Sequence, residues 1–146
     1  MKGWPPTLAA IVLTMACTAQ AWPVTGLWDA VNELTAEIEA QVKIAADHGR
    51  IEGVVVSVST PKAGSTNPLC EACHGDHKNQ PIVGMVILHA LPSPDLEQAR
   101  GEILDPENGR VYQCILRTME DGERLEVRAF FGVPLLGRTQ VWRRHE

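Results

Sequence analysis

Residues 70–75 read Cys-Glu-Ala-Cys-His-Gly, the one stretch of the chain dense in metal-ligating and redox-active groups. Three chemistries use such spacing. A c-type haem takes two thioether bonds from the cysteines and an axial imidazole from the histidine that follows. Here those residues are Cys70, Cys73 and His74, with Met85, Met119, His77 and His89 as candidate second axial ligands. A zinc ion takes four N and S ligands, which Cys70, Cys73, His74 and His77 could supply. A Cys70–Cys73 disulfide needs neither ion nor cofactor, and when reducible it gives a thiol-redox protein.

The surroundings weigh on the choice. Haem needs an apolar pocket, yet Lys62, Ser65, Thr66 and Asn67 lie on one side and Asp76, His77, Lys78, Asn79 and Gln80 on the other. Adjacent Cys73 and His74 point apart in most backbone conformations, which is unfavourable for tetrahedral zinc. Asn67-Pro68 suggests an N-cap with proline in the first helical position, so a helical turn over 68–74 would bring Cys70 and Cys73 together. The disulfide is the favoured reading, leaving Cys114 free or an alternative partner for one of the two. Haem and zinc stay as alternatives.

The compartment follows from the first residues. Lys2, the apolar run Leu8–Ala16 and the small-x-small triplet Ala19-Gln20-Ala21 form a secretory signal, residues 1–21, expected as a signal helix. The run falls well short of the roughly 20 apolar residues that span a bilayer. Cleavage leaves residues 22–146 as one domain, periplasmic or secreted, where disulfides persist. Lipidation at Cys17 is the competing signal. The net charge of −5, without a basic cluster, argues against nucleic acid. No later segment is long enough for a membrane span.

Turn signals at Asp47-His48-Gly49, Pro106–Gly109 and Met119–Gly122 divide stretches rich in β-branched residues. Strands are expected at 26–32, 36–46, 51–59, 81–90, 99–105, 110–118, 124–131 and 137–144. Residues 28–47 also carry a helical period (Val31, Leu34, Ile38, Val42, Ala45). The alternation of Ile38, Ala40, Val42 and Ile44, with a turn behind it, favours the strand. Eight short antiparallel strands suffice for an up-and-down barrel, filled or holding one small ligand. Asp105, Glu107 and Asn108 could be taken for acid–base groups, but in Asp-Pro-Glu-Asn-Gly they suit a turn. No nucleophile elbow or phosphate loop occurs, and no enzyme activity is expected.

Gly26-Leu-Trp28 resembles the G-x-W opening of lipocalin barrels. The ordered blocks Gly26-Leu-Trp28, Asn67-Pro-x-Cys70-x-x-Cys73-x-Gly75, Pro81-Ile-Val-Gly84, Ile103–Gly109 with Val111-Tyr112, and Leu135–Gln140 with Trp142 resemble an exported bacterial family, domain of unknown function 2147. The resemblance implies a lipocalin-like (calycin-like) barrel without established enzymatic activity. At His74 the family more often has another residue, so the haem-like motif rests on one substitution. Resemblance to lipocalins further implies that Trp28 closes one barrel end beneath an arginine of the last strand, Arg144 or Arg138. The functional expectation is a carrier of a small apolar ligand in the barrel interior, with loop 60–80 near one mouth. The rival readings are an envelope interaction module with a solid barrel, and the redox or haem protein above.

Overall fold

A computed structural model describes Gly3 and residues 22–59, 67–95 and 97–146. The expected signal helix over 1–21, including Cys17, and the loop residues 60–66 lie outside the described residues. The eight strands are β1 (Gly26–Val31), β2 (Ile38–Asp47), β3 (Arg50–Val58), β4 (Val86–Pro92), β5 (Gln98–Asp105), β6 (Arg110–Met119), β7 (Arg124–Phe130) and β8 (Arg138–Arg144). Each pairs antiparallel with its successor, and β8 pairs with β1, so the sheet closes as an up-and-down barrel. No α-helix occurs among the described residues, only 3-10 turns at Gly75–His77, Glu120–Gly122 and Pro134–Leu136.

Local chemistry explains where expectation and structure part. The helical alternative for 28–47 fails at Asn32, whose Oδ1 accepts the backbone N–H groups of Leu34 and Thr35 and turns the chain. Ala36 follows at φ 60°, so β2 starts at Ile38 rather than at 36. The β2–β3 hairpin has His48 and Gly49 both at positive φ (47° and 78°), the requirement of a tight type I′ turn. The strand expected from 81 begins instead at Val86. Residues 81–85 finish the preceding loop, with the Ile82 and Val83 N–H groups bonded to the Pro68 carbonyl and Asn67 Oδ1. That bond also corrects the expected helical turn over 68–74. Asn67 Oδ1 accepts the Val83 N–H across the loop, and the nearest helical residues are Gly75–His77.

Inward residues follow the two-residue period of each strand. Trp28, Val42, Ile51, Leu88, Ala99, Cys114, Leu116, Leu125, Val127 and Trp142 are all buried. Bulges at Gln41/Val42 and Gly53/Val54 bend the sheet into its closed form. The second lets both Ile87 and Leu88 of β4 be buried.

The seam between β8 and β1 is short, with Trp28 opposite Arg144 and Asp29 opposite Arg143. Side chains reinforce it from both sides. Inside, the Arg144 guanidinium lies 4.2 Å from the Trp28 ring centroid. It donates from Nε to the Gly122 carbonyl (2.7 Å), from Nη1 to Thr25 (3.0 Å) and from Nη2 to Pro23 (3.0 Å). Of the two candidate arginines, then, Arg144 covers the tryptophan, and Arg138, six residues back on β8, stands at the other end. Gly26, at φ 136°, leaves the guanidinium its place, since a Cβ there would collide with Nη1. Outside, buried Asp29 holds His145 Nδ1 (3.0 Å) and Gln41 Nε2 (2.9 Å), and Gln41 Oε1 accepts from Ser57 Oγ (2.8 Å).

Replacing Arg144 with methionine leaves three carbonyls without their charged donor and uncovers Trp28. The expected loss is about 2–4 kcal/mol. Thermal melts by circular dichroism check this, with Gly26→Ala destabilising in the same direction; an unchanged melting temperature would remove Arg144 from the seam.

Candidate functional site

Closing the barrel at one end leaves its other end to the connections β1–β2, β3–β4, β5–β6 and β7–β8. Beneath them opens a cavity of about 910 Å³, within the range of small-molecule sites. Its walls are Val42, Val55, Val58, Ile87, Ile103, Val127 and Trp142, contributed by β2 to β5, β7 and β8. The rim is built by Pro68, Leu69, Glu71 and Ala72 of the β3–β4 loop, by Asp105, Pro106 and Glu107 of the β5–β6 turn, and by Phe131, Leu136 and Gly137 after β7. A smaller hollow of about 510 Å³ lies at the closed end. Its lining includes Pro23, Gly122 and the already engaged Arg144, so it belongs to the seam.

The Cys-Glu-Ala-Cys-His-Gly stretch is therefore part of the cavity mouth. Cys70 and Cys73 are joined in a disulfide, with Cα atoms 5.3 Å apart. Both are buried, and the segment they close is tied at its base by the Leu69–Pro81 bridge. Cys70 N–H and C=O bond to the Gln80 carbonyl (2.8 Å) and the Asn79 N–H (2.9 Å). The segment packs on the β5–β6 turn so closely that a Cβ on Gly109 would run into the Ala72 carbonyl. That turn is what Asp105, Glu107 and Asn108 make. Asp105 Oδ1 accepts the Glu107 N–H (2.9 Å), Asn108 Oδ1 the Arg110 N–H (2.8 Å), and Gly109 sits at φ 71°.

The residues do not fit either metal-bearing alternative. Thioether attachment needs both sulfurs unpaired, and here each is bonded to the other. His74 and His77 are exposed while the sulfurs are buried, and among the described residues no group of three or more His, Cys, Asp or Glu converges to hold a metal. Burial also makes the disulfide unlike a working redox pair, whose attacking thiol is partly exposed.

Cys114 pairs with neither. It sits inside the barrel on β6, 1% exposed, between Gly101 of β5 and Ala129 of β7. Desolvation pushes its thiol up to about 12, helped by the nearby Glu102 charge and opposed by a backbone hydrogen bond from Gly101.

Two polar side chains on the inward face of β8 were not assigned to the cavity by sequence reasoning. Arg138 lines its rim and Gln140 the level below, with Trp142 deeper on the same face. Trp142 Nε1 donates to Gln140 Oε1 at 3.2 Å. The signal was the alternation Arg138, Gln140, Trp142, Arg144; what it lacked was knowledge that the barrel is hollow. Past β7 the chain exposes Phe131, Val133, Leu135 and Leu136, with Phe131 against the Tyr112 ring at 4.4 Å.

A family model described as "Uncharacterized protein conserved in bacteria (DUF2147)" matches residues 26–144, from the first strand to the last. The chain belongs to this family. None of the curated proteins matches it. Among solved structures it is similar to a Helicobacter pylori protein, HP1028, whose structure is described as belonging to the lipocalin family. The TM-score is 0.68 at 16% identity, covering 84% of this chain and 82% of the other. The likeness is one of fold, and it agrees with the lipocalin-like barrel that Gly26-Leu-Trp28 implied.

Three measurements follow. Because the Cys70–Cys73 loop is small and backbone bonds already hold it, converting both to serine costs at most about 2 kcal/mol and leaves the far-ultraviolet spectrum of the barrel intact. For Cys114 the folded value lies above the ordinary 9.0, so its stabilising contribution is complete below pH 9 and is lost as pH rises toward 12. Urea melts should show stability declining between pH 9 and 10.5 more steeply in the native protein than in Cys114→Ala. A thiol reagent at pH 8 should react only after unfolding.

Proposed function

We propose that this protein is a non-catalytic carrier or receptor for a small, largely apolar molecule, held in the barrel interior and working in an exported, oxidising compartment. The observation that carries the reading is the cavity of about 910 Å³, walled mostly by aliphatic and aromatic side chains and opening beneath the connections at the wide end. A solid barrel would have filled that space with side chains, as the closed half does around Trp28, Leu116 and Leu125. The exported setting is supported by the Cys70–Cys73 disulfide. No helix among the described residues is long and apolar enough to cross a membrane.

The rim supports passage of an apolar guest. Leu69, Phe131 and Leu136 border the opening, and all three are about half exposed or more. These side chains give an entering molecule apolar contact before it leaves water. The motif at 70–73 has a structural role here, pinning the β3–β4 loop across the β5–β6 turn so that the rim keeps its shape.

The test is binding of the neutral fluorophore N-phenyl-1-naphthylamine, together with native mass spectrometry of protein recovered from its own host. The expected results are enhanced, blue-shifted, saturable fluorescence and a co-purifying mass of a few hundred daltons. Ala40→Trp places an indole in the cavity wall and should reduce probe binding at least tenfold without unfolding the barrel. Absence of both probe binding and a co-purifying molecule would overturn the carrier reading.

A further inference from the structure

We infer that the ligand is an anionic amphiphile, its carboxylate or phosphate head held by Arg138 and Gln140 and its chain directed down toward Trp142. The inference rests on the carrier reading and adds the chemical class of the guest. Arg138 and Gln140 alternate on the cavity face of β8, so their Cβ atoms stand about 7 Å apart along the strand. Both present donors. A guanidinium has no acceptor at all. Gln140 Oε1 is occupied by the indole N–H of Trp142, which leaves the amide NH₂ to face other partners. A fork of donors above apolar walls fits a head group that only accepts hydrogen bonds, and a guanidinium matches planar carboxylate or tetrahedral phosphate through paired bonds.

The mouth also carries carboxylates, and their places in the structure decide whether they compete. Asp105 is committed to its turn through the Glu107 N–H and Asn108 Nδ2. Glu39 Oε1 accepts from Asn32 Nδ2 at 2.7 Å. Glu71 and Glu107 are exposed on the β3–β4 loop and the β5–β6 turn, which connect strands that are not neighbours of β8 in the sheet. Arg138 has no hydrogen-bonding or ionic partner among the described residues. An exposed positive group at the rim of a mostly apolar cavity, with the Gln140 donor below it on the same face, is placed to meet an anion at the mouth. The other arginine on this face, Arg144, shows the contrast, since three carbonyls and Trp28 consume it.

The experiment uses competition against bound N-phenyl-1-naphthylamine with three ligands of equal chain length: dodecanoate, dodecyl phosphate and dodecanol. Either anion should displace the probe at least tenfold better than the alcohol, and which of the two is better identifies the head group. Arg138→Met should remove that advantage, with alcohol affinity within twofold of the native value. Arg138→Lys should retain part of it, and Gln140→Leu should reduce it less than Arg138→Met. Melting temperatures confirm that the variants are folded. If the alcohol binds as well as the anions, or Arg138→Met leaves the anion-to-alcohol ratio unchanged, the anion site is overturned while the carrier reading stands. If no chain displaces the probe and the probe itself does not bind, both fall.

Discussion

The barrel depends on how one arginine closes it. Seven of the eight strand junctions follow hairpins or loops and would form between sequence neighbours. The eighth, between β1 and β8, must join the two ends of the sheet. Backbone pairing there is brief, and Arg144 compensates by binding the Trp28 face and three carbonyls at once. The carbonyls come from the segment before β1 and from the β6–β7 turn, so a single side chain gathers the entire closed end. His145 adds its backbone bond to Leu27 and its ring contact to Asp29 on the outer surface. Closure removes exposed sheet edges, and that is what allows the middle to remain hollow.

A hollow barrel gives up packing that a solid one would have, so its wide end needs other support. The disulfide-bound segment and the β5–β6 turn supply it by close backbone contact at Ala72 and Gly109. Aromatic contact between Tyr112, beside that turn, and Phe131 extends the support to the segment after β7. The two ends of the molecule are therefore held differently: a charged plug with backbone acceptors below, and short covalent and steric braces above. Between them the walls are mostly apolar, with the β8 donors, Tyr112 and the carboxylates of the rim as the polar groups.

Much of this was legible in sequence because strand period and turn chemistry are local. Asp47-His48-Gly49 and Asp105–Gly109 mark their turns by residue type, and alternation in 124–131 puts Leu125, Val127, Ala129 and Phe131 on one face. Of these, Leu125 and Val127 are buried, while β7 ends at Phe130 and leaves Phe131 half exposed. Boundaries failed where a side chain distant in sequence intervened, as when Asn67 Oδ1 captured the Val83 N–H and delayed β4. The choice between Arg144 and Arg138 was also beyond the sequence alone. Both occupy the inward face of β8, and only the register with β1 tells which meets Trp28. Likewise, nothing local distinguishes a filled barrel from an empty one, because that depends on the summed volume of residues from seven strands. The histidines of the motif misled for a related reason: spacing along the chain did not reveal that the sulfurs turn inward while His74 and His77 face water.

Trp22 and Glu146, at the two ends of the described barrel, share the plugged end with Arg144 and His145. The molecule is thus polarised like a cup on a stem. Anything joined to the chain at Trp22 or Glu146 would attach at the base, opposite the opening. A sensor or affinity support made from this barrel could use both attachment points interchangeably, whereas inserting a tag in the β3–β4 or β7–β8 connection would block the way in.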